Sequence, residues 1–317
     1  MQFIDRFETA RRLPYPALIE ALARGLQQPI VSPARSHFQP NADASAVLVM
    51  SAWQPHGIFG CKVVSVWPGN NALGKPAVAA AYVAMSCEDG SVMAMIDGTE
   101  LTLRRTAAAA ALAAQKLARR GSRRLLVIGC GALALPMVEA HRAVFALSDV
   151  LIWGRQIDKA QALVDALAGL GIAARASSDL QQALAGADIA VAVTTATQAF
   201  IPANWVKPGT HLGLVGAFTP EMAEAEPALL ARCRLFADSR EAVLQKGGEV
   251  VQALKRGLIA ESDICAELAE LVDAANSAAG RFADSDVTVF KSVGFAALDL
   301  IAAGLVLEAV QGASGRH

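Results

Sequence analysis

The run RRLLVIG at 123–129 passes directly into CGALALP at 130–136, and this junction constrains the fold more than any other feature of the chain. An apolar run that ends on glycine reads as a buried strand meeting a tight turn. Gly129 permits that turn. Gly131 lets the backbone come close to a bound pyrophosphate, whose charge rests at the N-terminus of the helix that follows. Ala134 takes the third glycine position, which the pattern tolerates. Ala132 and Leu133 join the two glycines as expected cofactor contacts, while Cys130 reads as a small filler residue.

The rhythm after residue 121 supports this placement. DVLIWGR (149–155) is a second strand, followed by a helix over 157–170. A short strand near 173–176, a helix near 179–184, and the apolar runs ADIAVAVTT (187–195), THLGLVG (210–216) and CRLFADS (233–239) continue the pattern. Strands alternating with helices imply βαβ units and a doubly wound parallel sheet of Rossmann type. Thr195, at the end of the third apolar run, is expected beside the cofactor. The second strand ends at Trp153-Gly154-Arg155, where a site for NAD usually places an acid that accepts from the ribose 2′-hydroxyl. Here the nearest acid is Asp158. Arg155 can instead pair with a 2′-phosphate through its two-pronged guanidinium. NADP(H) is therefore favoured, with NAD(H) possible.

Residues 1–120 read differently. A helix over 16–27 precedes strands AVLVMSAW (46–53), CKVVSVW (61–67), AAYVAMS (80–86) and SVMAMID (91–97). Asp89-Gly90 and Asp97-Gly98 read as hairpin turns, which makes the sheet antiparallel. The alanine-rich stretch 106–119 predicts a strong helix, with Thr106 as its cap. A last helix over 292–311 is expected to pack back on this first part. The expected organisation is thus α/β: a discontinuous, mainly antiparallel α+β domain (1–120 with 291–317) around a Rossmann-type domain (121–290).

Composition narrows the partners. The 317 residues are 54% hydrophobic and 18% charged, ample for a large core, and the net charge is −1. No long run of one sign is present, so nucleic acid and anionic membranes are excluded as expected partners. The N-terminus has no signal-peptide pattern, and the apolar stretches at 106–114 and 189–196 are too short to span a bilayer. The stretch 293–310 carries Asp299 and Glu308. Five scattered cysteines without a CxxC pair fit free thiols in a reducing, cytoplasmic setting. Five histidines without ligand spacing imply no metal. His211 reads as a satisfied strand residue, and Trp53 and Trp67 as packing.

Several segments resemble the ornithine cyclodeaminase/mu-crystallin family: GCKVVSVWPGN (60–70), MIDGTELTLRRTAAAAALA (95–113), VIGCGALA (127–134), VKPGTHLGLVGAFTPEMAE (206–224), LFADSREAVLQKGGEV (235–250) and TVFKSVGFAALDLIAAGLVLEA (288–309). The resemblance implies a homodimer with a Rossmann domain and a discontinuous substrate and dimerisation domain. It implies that Lys62, Arg105 and Arg35 surround a substrate carboxylate, and that Lys291, Ser292 and Gly294 lie near the nicotinamide. Asp299 falls two turns beyond Lys291 on the expected last helix. Two family carboxylates are missing: Phe218 stands where cyclodeaminases carry an aspartate, and Leu48 where they carry a glutamate. Leu133 also replaces a frequent glutamine. Phenylalanine cannot carry a proton, so the resemblance implies reduction of a cyclic ketimine carboxylate by NAD(P)H. Δ1-Pyrroline-2-carboxylate or Δ1-piperideine-2-carboxylate would give L-proline or L-pipecolate. Ornithine cyclodeamination, an amino-acid dehydrogenase, and an NADPH-binding protein of mu-crystallin type without turnover stand as alternatives.

Overall fold

The computed structural model describes residues 1–42, 45–273, 275 and 280–314. The chain forms two compact units, Met1–Thr106 with the chain from Phe295 onward, and Ala107–Gly294.

The first unit is built on six strands: β1 (Gln2–Ile4), β2 (Ser36–Phe38), β3 (Ala46–Trp53), β4 (Ile58–Val66), β5 (Val78–Ser86) and β6 (Val92–Asp97). Their spatial order is β1-β6-β5-β4-β3-β2, antiparallel throughout except for the parallel pair β1–β6. The strands are rich in Val, Ala and Met, and alternate residues point to opposite faces. One face buries Met50, Ala52, Lys62, Val64, Tyr82, Ala84 and Ile96. Helices α1 (Arg6–Arg12) and α2 (Tyr15–Gly25) precede β2; α3 (Gly98–Leu117) follows β6 and runs into the second unit.

The second unit holds β7 (Arg124–Ile128), α4 (Ala134–Arg142), β8 (Asp149–Trp153), α5 (Ile157–Gly169), β9 (Arg175–Ser177), α6 (Leu180–Gly186), β10 (Ile189–Ala192) and β11 (His211–Leu214). Then come β12 (Arg234–Ala237), α7 (Arg240–Lys246), α8 (Gly248–Lys255), β13 (Ile264–Glu267), α9 (Leu268–Val272) and β14 (Thr288–Lys291). The eight strands are all parallel, in the order β13-β12-β14-β11-β10-β7-β8-β9. Strands β8 and β9 extend to one side of β7, and β10 and β11 to the other, so the winding reverses at β7. Ligands of doubly wound sheets bind outside the strand carboxyl ends at that reversal. The chain then closes the first unit with α10 (Ala296–Ser314), which packs on α2, β3 and β4.

The α/β class and the mainly antiparallel first sheet agree with the sequence reading, but four local readings need correction. Asp97-Gly98 does not make a hairpin. Asp97 Oδ1 accepts the Glu100 amide at 2.8 Å and opens α3 there. The helix therefore starts eight residues before Thr106, which lies inside it rather than at its cap. The last helix begins at Ala296, because 288–291 are a strand deep in the parallel sheet. Consequently Lys291 and Asp299 do not share a helix face. The short strands β1, β2 and β13 give too few alternations for a periodic signal.

His141 and His211 are both buried in the second unit. His141 Nδ1 donates to Met137 O at 2.7 Å, and His211 Nδ1 is hydrogen-bonded to Thr288 Oγ1 at 3.0 Å. Burial depresses His141 to about 4; burial, with the charges of His141 and Arg281, depresses His211 to about 3. An unfolded histidine takes up its proton near about pH 6.5, so the unfolded chain binds more protons below that pH. Their contribution to stability is complete above that pH and is lost as pH falls through the two folded values. Urea melts between pH 7 and 4 should show this slope, and His141→Leu/His211→Leu should flatten it; an unchanged slope in the double variant refutes the assignment.

Candidate active site

Lys62 sits in the middle of β4, opposite Met50 on β3 and Tyr82 on β5, with its side chain on the buried face. Its neighbour Val63 points the other way and is 44% exposed. A lysine buried in an apolar sheet is unstable unless it is paired. The partner arrives from α10: Lys62 Nζ donates to Asp299 Oδ1 at 2.7 Å and to Thr102 Oγ1 at 3.1 Å. Arg105 Nε donates to the same Asp299 oxygen at 2.8 Å. Lys62 and Asp299 are each 1% exposed and Arg105 is 5%.

The electrostatics follow from this sharing. Burial pulls the Lys62 ammonium down to about 8, against the attraction of Asp299, with the charges of Arg105 and Arg35 adding to the fall. Burial also opposes ionisation of Asp299, yet Arg105 and Lys62 together hold its carboxyl below the ordinary range. Two cations around one carboxylate leave a surplus positive charge in a dry setting. Arg105 meets Asp299 through Nε, so its two Nη groups point elsewhere, and Lys62 has one N–H direction beyond its two partners. Half-buried Arg35 immediately precedes β2 and is close enough to influence Lys62. Tyr82 lies on the same face, with its hydroxyl over Gly60: a β-carbon there would sit 1.7 Å from the oxygen. Among the described residues, neither Tyr82 Oη nor Asp299 Oδ2 has a hydrogen-bond partner.

The second unit places a glycine loop at the carboxyl end of β7. Gly129 has φ +121°, a conformation natural only to glycine, and a β-carbon there would lie 3.1 Å from Val193 O. Gly131 is exposed, and a β-carbon there meets nothing within 4 Å. Ala132 is exposed and Leu133 half-buried, directly ahead of α4. A β-carbon at Gly154 would come 2.5 Å from Cys130 Sγ, so this glycine lets the end of β8 lie against the loop. Arg155 is exposed two residues past β8, and Thr195 is exposed three residues past β10. An exposed glycine loop ahead of a helix N-terminus, with an exposed arginine just past the next strand end, fits a dinucleotide phosphate group.

Ser292 and Gly294 follow β14 and are fixed by Asp238 at the end of β12. Asp238 Oδ2 accepts Ser292 Oγ at 2.8 Å and the amides of Val293 at 2.9 Å and Gly294 at 2.6 Å. The Ser292 proton is thus committed to Asp238. Lys291 is fully buried and ion-paired with Glu249 at 2.8 Å. The sequence assigns no part to Asp238, Glu224 or Glu249, and places Asp299 on the last helix without a partner. The available signal was an acid inside an apolar helix and a lysine inside an apolar strand, since neither is stable alone.

The profile of the ornithine cyclodeaminase/mu-crystallin family matches residues 14–314. The chain is 36% identical over 312 residues to the Δ1-pyrroline-2-carboxylate reductase of Paracoccus denitrificans, covering 98% of each. Among solved structures it is similar to the Δ1-pyrroline-2-carboxylate reductase of Thermococcus litoralis in complex with NADH and L-proline, with a TM-score of 0.94 and 28% identity over 99% of this chain and 98% of that one. An archaeal alanine dehydrogenase dimer with bound NAD gives a TM-score of 0.91 at 27% identity, over 99% and 97%.

Asp299→Ala leaves two buried cations around no anion. Removing one partner of a buried ion pair costs about 3–5 kcal/mol, whereas Thr102→Val removes two hydrogen bonds, from Lys62 Nζ and to Gly98 O, worth about 1 kcal/mol each. Urea denaturation of the two variants should reproduce this order, and an Asp299→Ala loss no larger than that of Thr102→Val contradicts the shared-anion reading.

Proposed function

Because the chain belongs to the ornithine cyclodeaminase/mu-crystallin family and is an NAD(P)-dependent oxidoreductase of that family, we propose that it reduces a small cyclic ketimine carboxylate, Δ1-pyrroline-2-carboxylate or Δ1-piperideine-2-carboxylate, to L-proline or L-pipecolate. The observation that carries this reading is the surplus cation of the Lys62–Asp299–Arg105 cluster. Such a cluster is built to receive a second carboxylate. Arg105, with Nε held by Asp299, offers its Nη pair as a planar fork. Lys62 adds the remaining N–H, and with a value of about 8 it can also pass a proton to the substrate nitrogen. Arg35 completes the positive surroundings. The nicotinamide, when bound, supplies hydride to the C=N carbon. The protein contributes placement and electrostatics.

The two departures from the cyclodeaminase pattern support reduction over deamination. Phe218 is half-buried and packs against the hydrophobic core of the second unit. Leu48 lies in β3 opposite Val64. Neither can carry a proton. In this reading the second unit binds NAD(P)H through Gly129, Gly131, Ala132, Leu133, Arg155, Thr195, Ser292 and Gly294, and the first binds substrate. Arg155 favours NADPH over NADH.

The first unit also serves dimerisation. The outward face of its sheet carries Phe3, Phe38 and Val63, exposed by 73%, 55% and 44%, with Val49, Val83 and Met95 partly exposed beside them. An apolar sheet face of this kind suits a second copy of the chain. All five cysteines are free thiols, which supports a reducing, cytoplasmic setting. No described helix is long and apolar enough to cross a membrane.

Purified protein with NADPH and Δ1-pyrroline-2-carboxylate or its six-membered homologue should lose nicotinamide absorbance, while L-ornithine with NAD⁺ should release no ammonia. Ammonia release would restore the cyclodeaminase reading. Tight NADPH binding with no turnover on either ketimine would indicate a binding protein. Arg155→Asp should reverse the coenzyme preference toward NADH by about tenfold or more, since a like charge then faces the 2′-phosphate; an unchanged ratio of the two kcat/KM values removes Arg155 from the site.

A further inference from the structure

Glu224 is fully buried, and among the described residues its side chain accepts only from backbone amides and a hydroxyl. Its Oε1 accepts the Thr194 amide at 2.6 Å and the Thr194 hydroxyl at 2.8 Å. Its Oε2 accepts the amides of Gly216 at 2.8 Å and Ala217 at 3.3 Å. Thr194 lies two residues past β10, and Gly216 two residues past β11. One side chain therefore joins the loops at the carboxyl ends of two adjacent parallel strands, next to the reversal at β7.

The junction has no slack. A β-carbon at Gly216 would lie 2.0 Å from Thr194 O and 2.5 Å from Glu224 Oε1. The glycine loop leans on the same stretch: a β-carbon at Gly129 would be 3.1 Å from Val193 O and 3.2 Å from Thr194 Cγ2. Glu224 is itself anchored, since its amide donates to Glu249 Oε1 at 2.7 Å, and Glu249 pairs with Lys291 at the end of β14. Burial raises the Glu224 carboxyl above its ordinary range, and the charge of Lys291 and the Thr194 donors work in the other direction.

We propose that Glu224 is a positioning residue for the dinucleotide, acting through Thr194–Thr195 and Gly216–Ala217 to hold the strand-end loops against which the glycine loop packs. This rests on the dinucleotide-binding reading given above. Glu224 has all four acceptor directions occupied by protein donors, so its effect on the ligand is through the loops and not by contact. A general stabilising role would lower the melting temperature and leave the relative affinities for dinucleotide and ketimine unaltered. A positioning role moves the dinucleotide affinity alone.

The test uses the full chain as wild type, Glu224→Gln and Thr194→Val. NADPH is titrated by nicotinamide fluorescence, and the KM for Δ1-pyrroline-2-carboxylate is measured at saturating NADPH, alongside thermal melts. Glutamine keeps the shape but offers one accepting atom, so one of the two loops must lose its acceptor. Glu224→Gln should raise the Kd for NADPH about tenfold and Thr194→Val about threefold, with the ketimine KM within about twofold of wild type. A folded Glu224→Gln with the wild-type Kd overturns the inference, as does a common change in both constants. If Glu224→Gln does not fold, Thr194→Val decides: an unchanged Kd overturns the inference and a selective rise supports it. Wild type that binds neither NADPH nor NADH overturns the dinucleotide reading itself, an outcome distinct from a variant that matches a binding wild type.

Discussion

A carboxylate oxygen shared by two buried cations is the interaction on which the first unit turns. Lys62 in the middle of an apolar strand would be prohibitively costly as a charge without a partner. Asp299 receives it at 2.7 Å and receives Arg105 at 2.8 Å on the same atom. The three residues come from β4, α3 and α10, separated by as many as 237 positions in the chain. This explains why the chain returns to its first unit after completing the parallel sheet: without α10 the sheet would bury a cation and no anion.

Buried carboxylates organise the second unit in a different way. Glu224 and Asp238 collect chiefly backbone amides and hydroxyls from loops that follow parallel strands. Loops at the carboxyl ends of such strands have unpaired N–H groups, because the ladder has stopped and no helix has yet begun. An acid with several lone pairs can satisfy several of them at once and fix their geometry. The loops proposed to meet the cofactor are therefore held by buried polar contacts, while Gly131, Ala132, Arg155 and Thr195 are exposed.

The division of labour proposed for the two units suits the chemistry of the proposed reaction. Hydride transfer to a C=N carbon needs a fixed nicotinamide and a fixed imine, and little from the protein in acid–base terms. Of the two apolar residues that the resemblance sets in place of cyclodeaminase carboxylates, Phe218 packs against the hydrophobic core of the second unit and Leu48 pairs with Val64 across β3 and β4.

Much of this was determined by sequence alone. The strand–glycine–helix junction at 123–136 is local, as are the long strands β3, β4 and β5 and the βαβ rhythm, because each element declares itself within a dozen residues through its periodicity and its turn chemistry. Lys62 and Arg105 were singled out by the resemblance of the contiguous segments that carry them, and the two loop glycines by their place between a strand and a helix; the structure puts Lys62 and Arg105 on one buried carboxylate. The tertiary structure decided which charges meet. It placed Lys291 on a strand with Glu249, and Asp299 on the following helix with Lys62 and Arg105, where a contiguous reading had put Lys291 and Asp299 on one helix face. It turned Asp97-Gly98 from a hairpin into a helix start, and it brought Glu224 and Asp238 against the loop amides from which they accept. Those outcomes depend on contacts between residues far apart in the chain, and the energy of a buried charge is set by the partner that folding brings to it, which no local pattern encodes.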